Sequence, residues 1–260
     1  MMRHILLFII TFFSTVGSIS AQNRFYKWRE SVGDKYIGVN LSTTRYRGDL
    51  SDVFNFQHWQ LSWGAEVHAR YRFDNHWCLR SDIGVYHVRA DQRYSRNAYN
   101  KLSFSATNLS ANVGVQWDFR SIDYNPRNNM YMFGGLGITK LAPSTTLNGI
   151  TYSLPAFKTE GVDYRLWVGQ LHYGLGVPVA LSESTQLRFE GRYTHVFSDY
   201  MDDVSTVYAD KSAASDIEKK LADGRIAESL SPNIVGAKRG EPANKDGYFL
   251  LTVQFVYKFY

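Results

Sequence analysis

The chain has 260 residues, 44% hydrophobic and 15% aromatic, with a formal net charge of +5 at pH 7. Its Lys and Arg are scattered among Asp and Glu, which excludes the dense basic face of a nucleic-acid binder. A single cysteine, Cys78, excludes an intrachain disulfide, so stability must come from packing and backbone pairing.

Residues 1–21 carry basic Arg3, an apolar run over 5–13 and small residues leading to Ala21, the pattern of a secretory signal peptide cut near Ser20 or Ala21. Its removal takes away only Arg3, so the net charge of +5 becomes 5 − 1 = +4. No cysteine stands at the cleavage region to carry a lipid anchor, and no later apolar run is long enough for a spanning helix. A membrane location therefore requires a β-barrel. Residues 22–34 are polar with three aromatics and read as a periplasmic lead-in.

The barrel is expected over 35–260, beginning with a strand over 35–44. The second strand, 61–73, alternates Trp63, Ala65, Val67, Ala69, Tyr71 and Phe73 with Gly64, Glu66, His68, Arg70 and Arg72. After the turn at Asp74 to His76, the third strand (77–88) sets Trp77, Leu79, Ile83 and Val85 against Cys78, Arg80, Asp82, Gly84 and Tyr86. The fourth ends at Phe119 and places Asn112, Gln116 and Asp118 opposite Leu109, Val113, Val115 and Trp117. In the fifth (130–141) both faces are apolar or glycine, and the inward recurrence of glycine elsewhere puts Met130, Met132, Leu136 and Ile138 outward. The sixth (166–181) carries Gln170 and His172 inward and Pro178 near its end. The seventh (186–197) opposes Leu187, Phe189, Tyr193 and Phe197 to Arg188, Glu190, Arg192 and Thr194.

A long polar segment, 198–246, precedes the closing strand GYFLLTVQFVYKFY (247–260), which has Phe249, Leu251, Val253, Phe255, Tyr257 and Phe259 on one face. Such a strand needs a partner on each side, and pairing with the first strand supplies one. By this parity Tyr260 is inward or frayed.

These elements predict an all-β fold, an eight-stranded antiparallel outer-membrane β-barrel with alternately short periplasmic turns and longer extracellular loops, and both termini periplasmic. Two aromatic girdles are expected, one with Tyr71, Phe73, Trp77, Trp117, Phe119, Tyr257 and Phe259 toward the short turns. The other has Trp63, Trp167, Tyr193, Phe197, Tyr248 and Phe249 toward the long loops.

A barrel of this size is only wide enough for side chains to fill. The interior network, Glu66, His68, Arg70, Arg80, Asp82, Asp118, His172, Arg188, Glu190 and Arg192, is therefore expected to plug it, with inward glycines making room for long arginines. His195, on the outward parity near Ser198 and Asp199, is a possible lipid-hydrolysing group, but no nucleophile motif accompanies it, and the chain is not expected to be an enzyme. Asp199, Asp202 and Asp203 lack the alternating ligands and turning glycine of a calcium loop and read as a hydrogen-bonded turn, so no metal or cofactor is expected. Farther on, Ser215 to Glu218 has the form of a capping box opening a short helix with Ile217 and Leu221 on one side and Gly224 at its end, and the remainder to Asp246 reads as mobile.

YRGDL (46–50), GAEVHARYRFDNHWCLRSDIGVY (64–86), FGGLGI (133–138) and above all FSDYMDDVSTVY (197–208) resemble the PorG-type outer-membrane barrels of Bacteroidetes. The resemblance runs from about residue 35 to 210 and includes the last strand, with Met201 in place of a leucine and 211–246 as an insertion. It implies a structural component of the type IX protein secretion system that anchors the periplasmic PorK/PorN ring to the outer membrane. It carries over Asp199, Tyr200, Asp202, Asp203, Val204 and Ser205 as a signature without an assigned role. The rival reading is a surface adhesion barrel acting through its extracellular loops.

Overall fold

The closing strand pairs on both edges. In the computed structural model, which describes residues 28–51, 59–95, 97–124 and 129–259, β10 (Gly247–Phe259) runs antiparallel to β1 (Lys35–Arg47), from Lys35 opposite Phe259 to Arg47 opposite Gly247. Its other edge pairs with β9 (Thr185–Val196). The segment 1–21 read as a signal peptide, the first part of the expected lead-in and Tyr260 lie outside the described residues.

The remaining wall strands are β2 (Ser62–Arg72), β3 (Trp77–Asp91), β4 (Ser103–Asp118), β5 (Tyr131–Lys140) and β8 (Trp167–Ala180). Neighbours follow the order β3, β2, β1, β10, β9, β8, β5, β4, and β4 pairs back onto β3, so the ring closes with eight strands. Two further short strands, β6 (Pro143–Leu147) and β7 (Ile150–Ser153), stand outside that count. They form a hairpin that continues along β4 where β5 has ended, with Pro143 opposite Ala106. The connection between the fifth and sixth expected strands, 142–165, is thus partly sheet.

Burial is inverted relative to a water-soluble sandwich. Ile37, Val39, Leu41, Val67, Ile83, Val113, Leu136, Leu171, Tyr173, Leu251, Val253 and Phe255 point outward and are 38–66% exposed. Arg72, Arg80, Arg188, Arg192, Glu66, Glu190 and Asp82 on the alternate positions are buried. A continuous apolar belt over a charged interior is stable where the surroundings are hydrocarbon. The ambiguous β5 follows the same rule, with Met130, Met132, Leu136 and Ile138 outward. Tyr248 is a correction. Expected in a girdle, it is buried inside, its ring stacked on Tyr86 at 4.1 Å. Val179, on the outward parity of β8, is buried as well.

The inward glycines also have a different cause from the one expected. A Cβ on Gly84 would lie 2.2 Å from the Ala65 carbonyl oxygen, and one on Gly135 would lie 2.1 Å from that of Val113. The group nearest to each is therefore the backbone of the adjacent strand, and these positions let neighbouring strands close up as the small barrel curves. Gly135→Val should cost at least about 1–3 kcal/mol through overpacking and lower the yield of the heat-modifiable folded band on cold SDS gels, whereas Leu136→Val on the outer face should leave that band unchanged.

Candidate functional site

The interior divides into two zones. Toward the short turns it is a charged network. Arg80 grips Glu190 with two parallel bonds, Nη1 to Oε1 at 3.0 Å and Nη2 to Oε2 at 3.1 Å, and Tyr131 donates to the same carboxylate at 2.8 Å. Arg192 donates to Glu66 at 2.5 Å, and Asn40 bridges Glu66 and Asp82 at 3.3 Å each. His68 bonds to Asn40 at 2.7 Å. Arg72 reaches Asp118, and Arg188 donates to Gln116 while lying over the Tyr131 ring at 3.9 Å. All ten residues named from the sequence for this network are buried within the barrel, although His172 finds no hydrogen-bond partner among the described residues. Paired and ring-covered guanidinium groups of this kind fill space at little net electrostatic cost.

The lead-in closes the short-turn end. Glu30 enters the mouth and bonds Arg70 at 3.4 Å and Arg72, while Trp28 donates to Glu30 at 3.1 Å. Lys258 donates to the Arg29 carbonyl at 2.6 Å, and Gly33 takes the positive φ of 98° that the reversal requires. Residues 28–34, read from the sequence as part of a polar lead-in, are in part a stopper.

Toward the long loops the interior is apolar. Tyr86, Val88, Phe104, Val196 and Leu250 from the wall pack against Leu50, Leu154, Met201, Val204 and Leu221 from the loops. This cap rests on the signature run. The Tyr46 oxygen lies 2.7 Å from Asp202 Oδ2 and 2.6 Å from Asp246 Oδ1. One hydroxyl hydrogen cannot serve two carboxylates, so the second contact needs a proton on a carboxyl group. Asp202 also accepts from Val204 N, and Asp246 from Met201 N, each at 2.9 Å. Asp203 accepts from Tyr164 at 2.6 Å and from Thr159. Tyr200 stacks on Tyr164 at 4.3 Å, and Ser205 N donates to Glu160 at 2.8 Å. Glu160 also accepts from the Thr206 hydroxyl at 2.7 Å and from Arg239 at 3.0 Å. Asp202 and Asp203 are consumed in bracing loops, whereas both carboxylate oxygens of buried Asp199 find no hydrogen-bond partner among the described residues, and among those residues no group of acids, histidines or cysteines is placed to hold a metal ion.

Sequence reasoning missed Tyr46, Glu160, Arg239 and Asp246, which complete this lock. The segment read as mobile is also built. Helices α1 (Asp216–Ala222) and α2 (Gly224–Ala227) follow Ser215, whose capping box with Glu218 is present. Leu221 is buried, Ile217 is exposed, and Gly224 opens the second helix instead of ending the first. Asp223 accepts from Asn233 N at 2.6 Å, and Tyr208 N bonds the Ala237 carbonyl at 3.0 Å. His195 packs edge-on against Phe197 at 5.9 Å, and no hydrogen bond links it to Ser198 or Asp199 among the described contacts.

With barrel, charged filling and outer lock in view, comparison with known proteins places the fold in a family. The outer membrane protein beta-barrel domain matches residues 9–213. The chain belongs to that family. It is an outer-membrane β-barrel protein. The chain is similar to the solved structure of OprG from Pseudomonas aeruginosa at 13% identity and TM-score 0.51, covering 90% of this chain and 99% of that one. It is also similar to the neisserial surface protein NspA at 12% identity and TM-score 0.44, covering 86% and 97%. For the attachment invasion locus protein Ail of Yersinia pestis the figures are 12% and 0.43, covering 88% and 100%. A comparison with curated proteins finds no match.

The lock retains protons. Burial pushes the Asp199 carboxyl up to about 7, with the Asp49 carboxylate adding to the rise. Burial and mutual repulsion raise Asp202 and Asp246 well above the usual carboxylate range. Folded values above the unfolded one of about 4 mean that this stabilisation is full in acid and is lost as pH rises through the folded values, for Asp199 near 7. Amide-exchange protection over 198–246, corrected for intrinsic rates, should therefore fall between pH 5 and 8, and Asp199→Asn should flatten the change. Tyr46→Phe should lower that protection at both ends of the range by about 1–3 kcal/mol.

Proposed function

We propose that this barrel is a non-catalytic, PorG-type structural component of the type IX protein secretion machinery, anchoring the periplasmic PorK/PorN ring to the outer membrane, with its short-turn end and both termini in the periplasm. The observation that carries the reading is a braced ledge at the short-turn end. Asn75 donates to Asp123 at 2.7 Å, Ile122 N bonds the Asn75 carbonyl at 3.2 Å, and His76 stacks on Trp117 at 6.1 Å. Two turns from different hairpins are thereby joined into one surface that presents Tyr124, 83% exposed. A rigid surface with a prominent aromatic binds without a large ordering cost. The filled interior and the braced outer loops fit an anchor better than a pore, and the Asp-Tyr-x-Asp-Asp-Val-Ser run supplies the family resemblance.

The adhesion reading has one observation in its favour. Ile234 and Val235, at 79% and 60% exposure, stand uncovered in the long loop segment. Affinity isolation of the tagged barrel in mild detergent separates the two. Ring components should co-purify with the wild type and with Ile234→Ser/Val235→Ser, and their recovery should fall at least about tenfold with Tyr124→Glu. No ring component with the wild type, together with surface binding lost in the Ile234/Val235 variant, would transfer the function to the loops.

A further inference from the structure

Between α1, the β6–β7 hairpin and the lock, the long-loop end encloses a cavity of about 220 Å³. A chamber of roughly 150 Å³ lined by aliphatic side chains is enough to hold benzene. Here one wall is formed by Leu50, Leu102, Leu154 and Leu221, all buried. Opposite them the lining is charged, and most of that charge is spent. Arg93 is fixed on Asp91 by bonds of 2.9 Å and 2.6 Å, and Arg239 is committed to Glu160. Asp202 faces the cavity but is tied to Tyr46 and Val204 N, and burial holds its carboxyl well above the usual carboxylate range. Lys101 is held loosely, 3.8 Å from Glu228. Lys220, half-buried on α1, makes no hydrogen bond or ion pair with any described residue. The chamber thus pairs an aliphatic wall with one uncommitted ammonium and a second that is weakly engaged.

We propose that this cavity binds a small aromatic carboxylate, its ring against the leucine wall and its carboxylate on Lys220 and Lys101. The volume admits one ring with a short acid arm, and a carboxylate gives the ammonium a charged partner that a neutral ring would not. The site stands apart from the short-turn ledge and does not depend on the anchoring role.

Calorimetric titration of the full barrel in detergent with phenylacetate tests it, with the near-isosteric neutral phenylacetamide as control. Saturable phenylacetate binding is expected, at least about tenfold tighter than phenylacetamide and about tenfold weakened by Lys220→Gln. Leu147→Trp, which projects bulk into the chamber from the exposed hairpin, should abolish binding while the folded band on cold SDS gels persists. Absence of saturable binding to the wild type, equal affinity for the amide, or unchanged affinity in either folded variant would overturn the proposal.

Discussion

A sheet without an edge is the constraint from which this structure follows. In hydrocarbon every backbone N–H and C=O must find a partner within the protein, and an open strand edge would leave a full row unsatisfied. The pairing of β1 with β10 joins the two ends of the barrel sequence and closes the ring. Eight strands fix a narrow lumen, and a narrow lumen must be filled. The close strand approach at Gly84 and Gly135, the forked Arg80–Glu190 pair and the ring-covered Arg188 are consequences of that closure.

The filling changes character along the barrel axis for a reason of supply. Toward the short turns only a few residues lie beyond the wall, so long inward arginines and carboxylates occupy the lumen and Glu30 completes the set. Toward the long loops, residues 142–166 and 198–246 can fold over the mouth and bring their own leucines and methionine. That apolar cap needs fixing, and Asp202 and Asp203 of the signature fix it by accepting from tyrosine hydroxyls and a backbone amide. With Asp199, Asp202 and Asp246 raised by burial, the loop end is firmest in acid and loosens as these groups ionise.

The parts legible in the sequence are those governed by local period. Alternation placed Phe249 to Phe259 outward and Glu190, Arg192 and Arg80 inward, and the capping box at Ser215 was visible from four residues. Alternation alone did not decide between a sandwich and a membrane barrel, and the inverted burial does. What could not be read depends on partners far apart in the chain. Tyr46 meets Asp246 two hundred positions away, and Glu160 meets Arg239 79 positions on, so neither residue stands out in its own neighbourhood. Tyr248 misled because a rim aromatic can serve a girdle or a cap, and only the stacking on Tyr86 chooses. Glu30 sits in a stretch without period, and its role exists only once the barrel mouth has formed.

The barrel lumen is filled and is not a conduit, its arginines paired with carboxylates or covered by rings. Reconstitution into a planar lipid bilayer tests this most directly. The account predicts no stepwise ionic current at neutral pH over a sustained applied voltage. A steady open channel of reproducible unit conductance would contradict it.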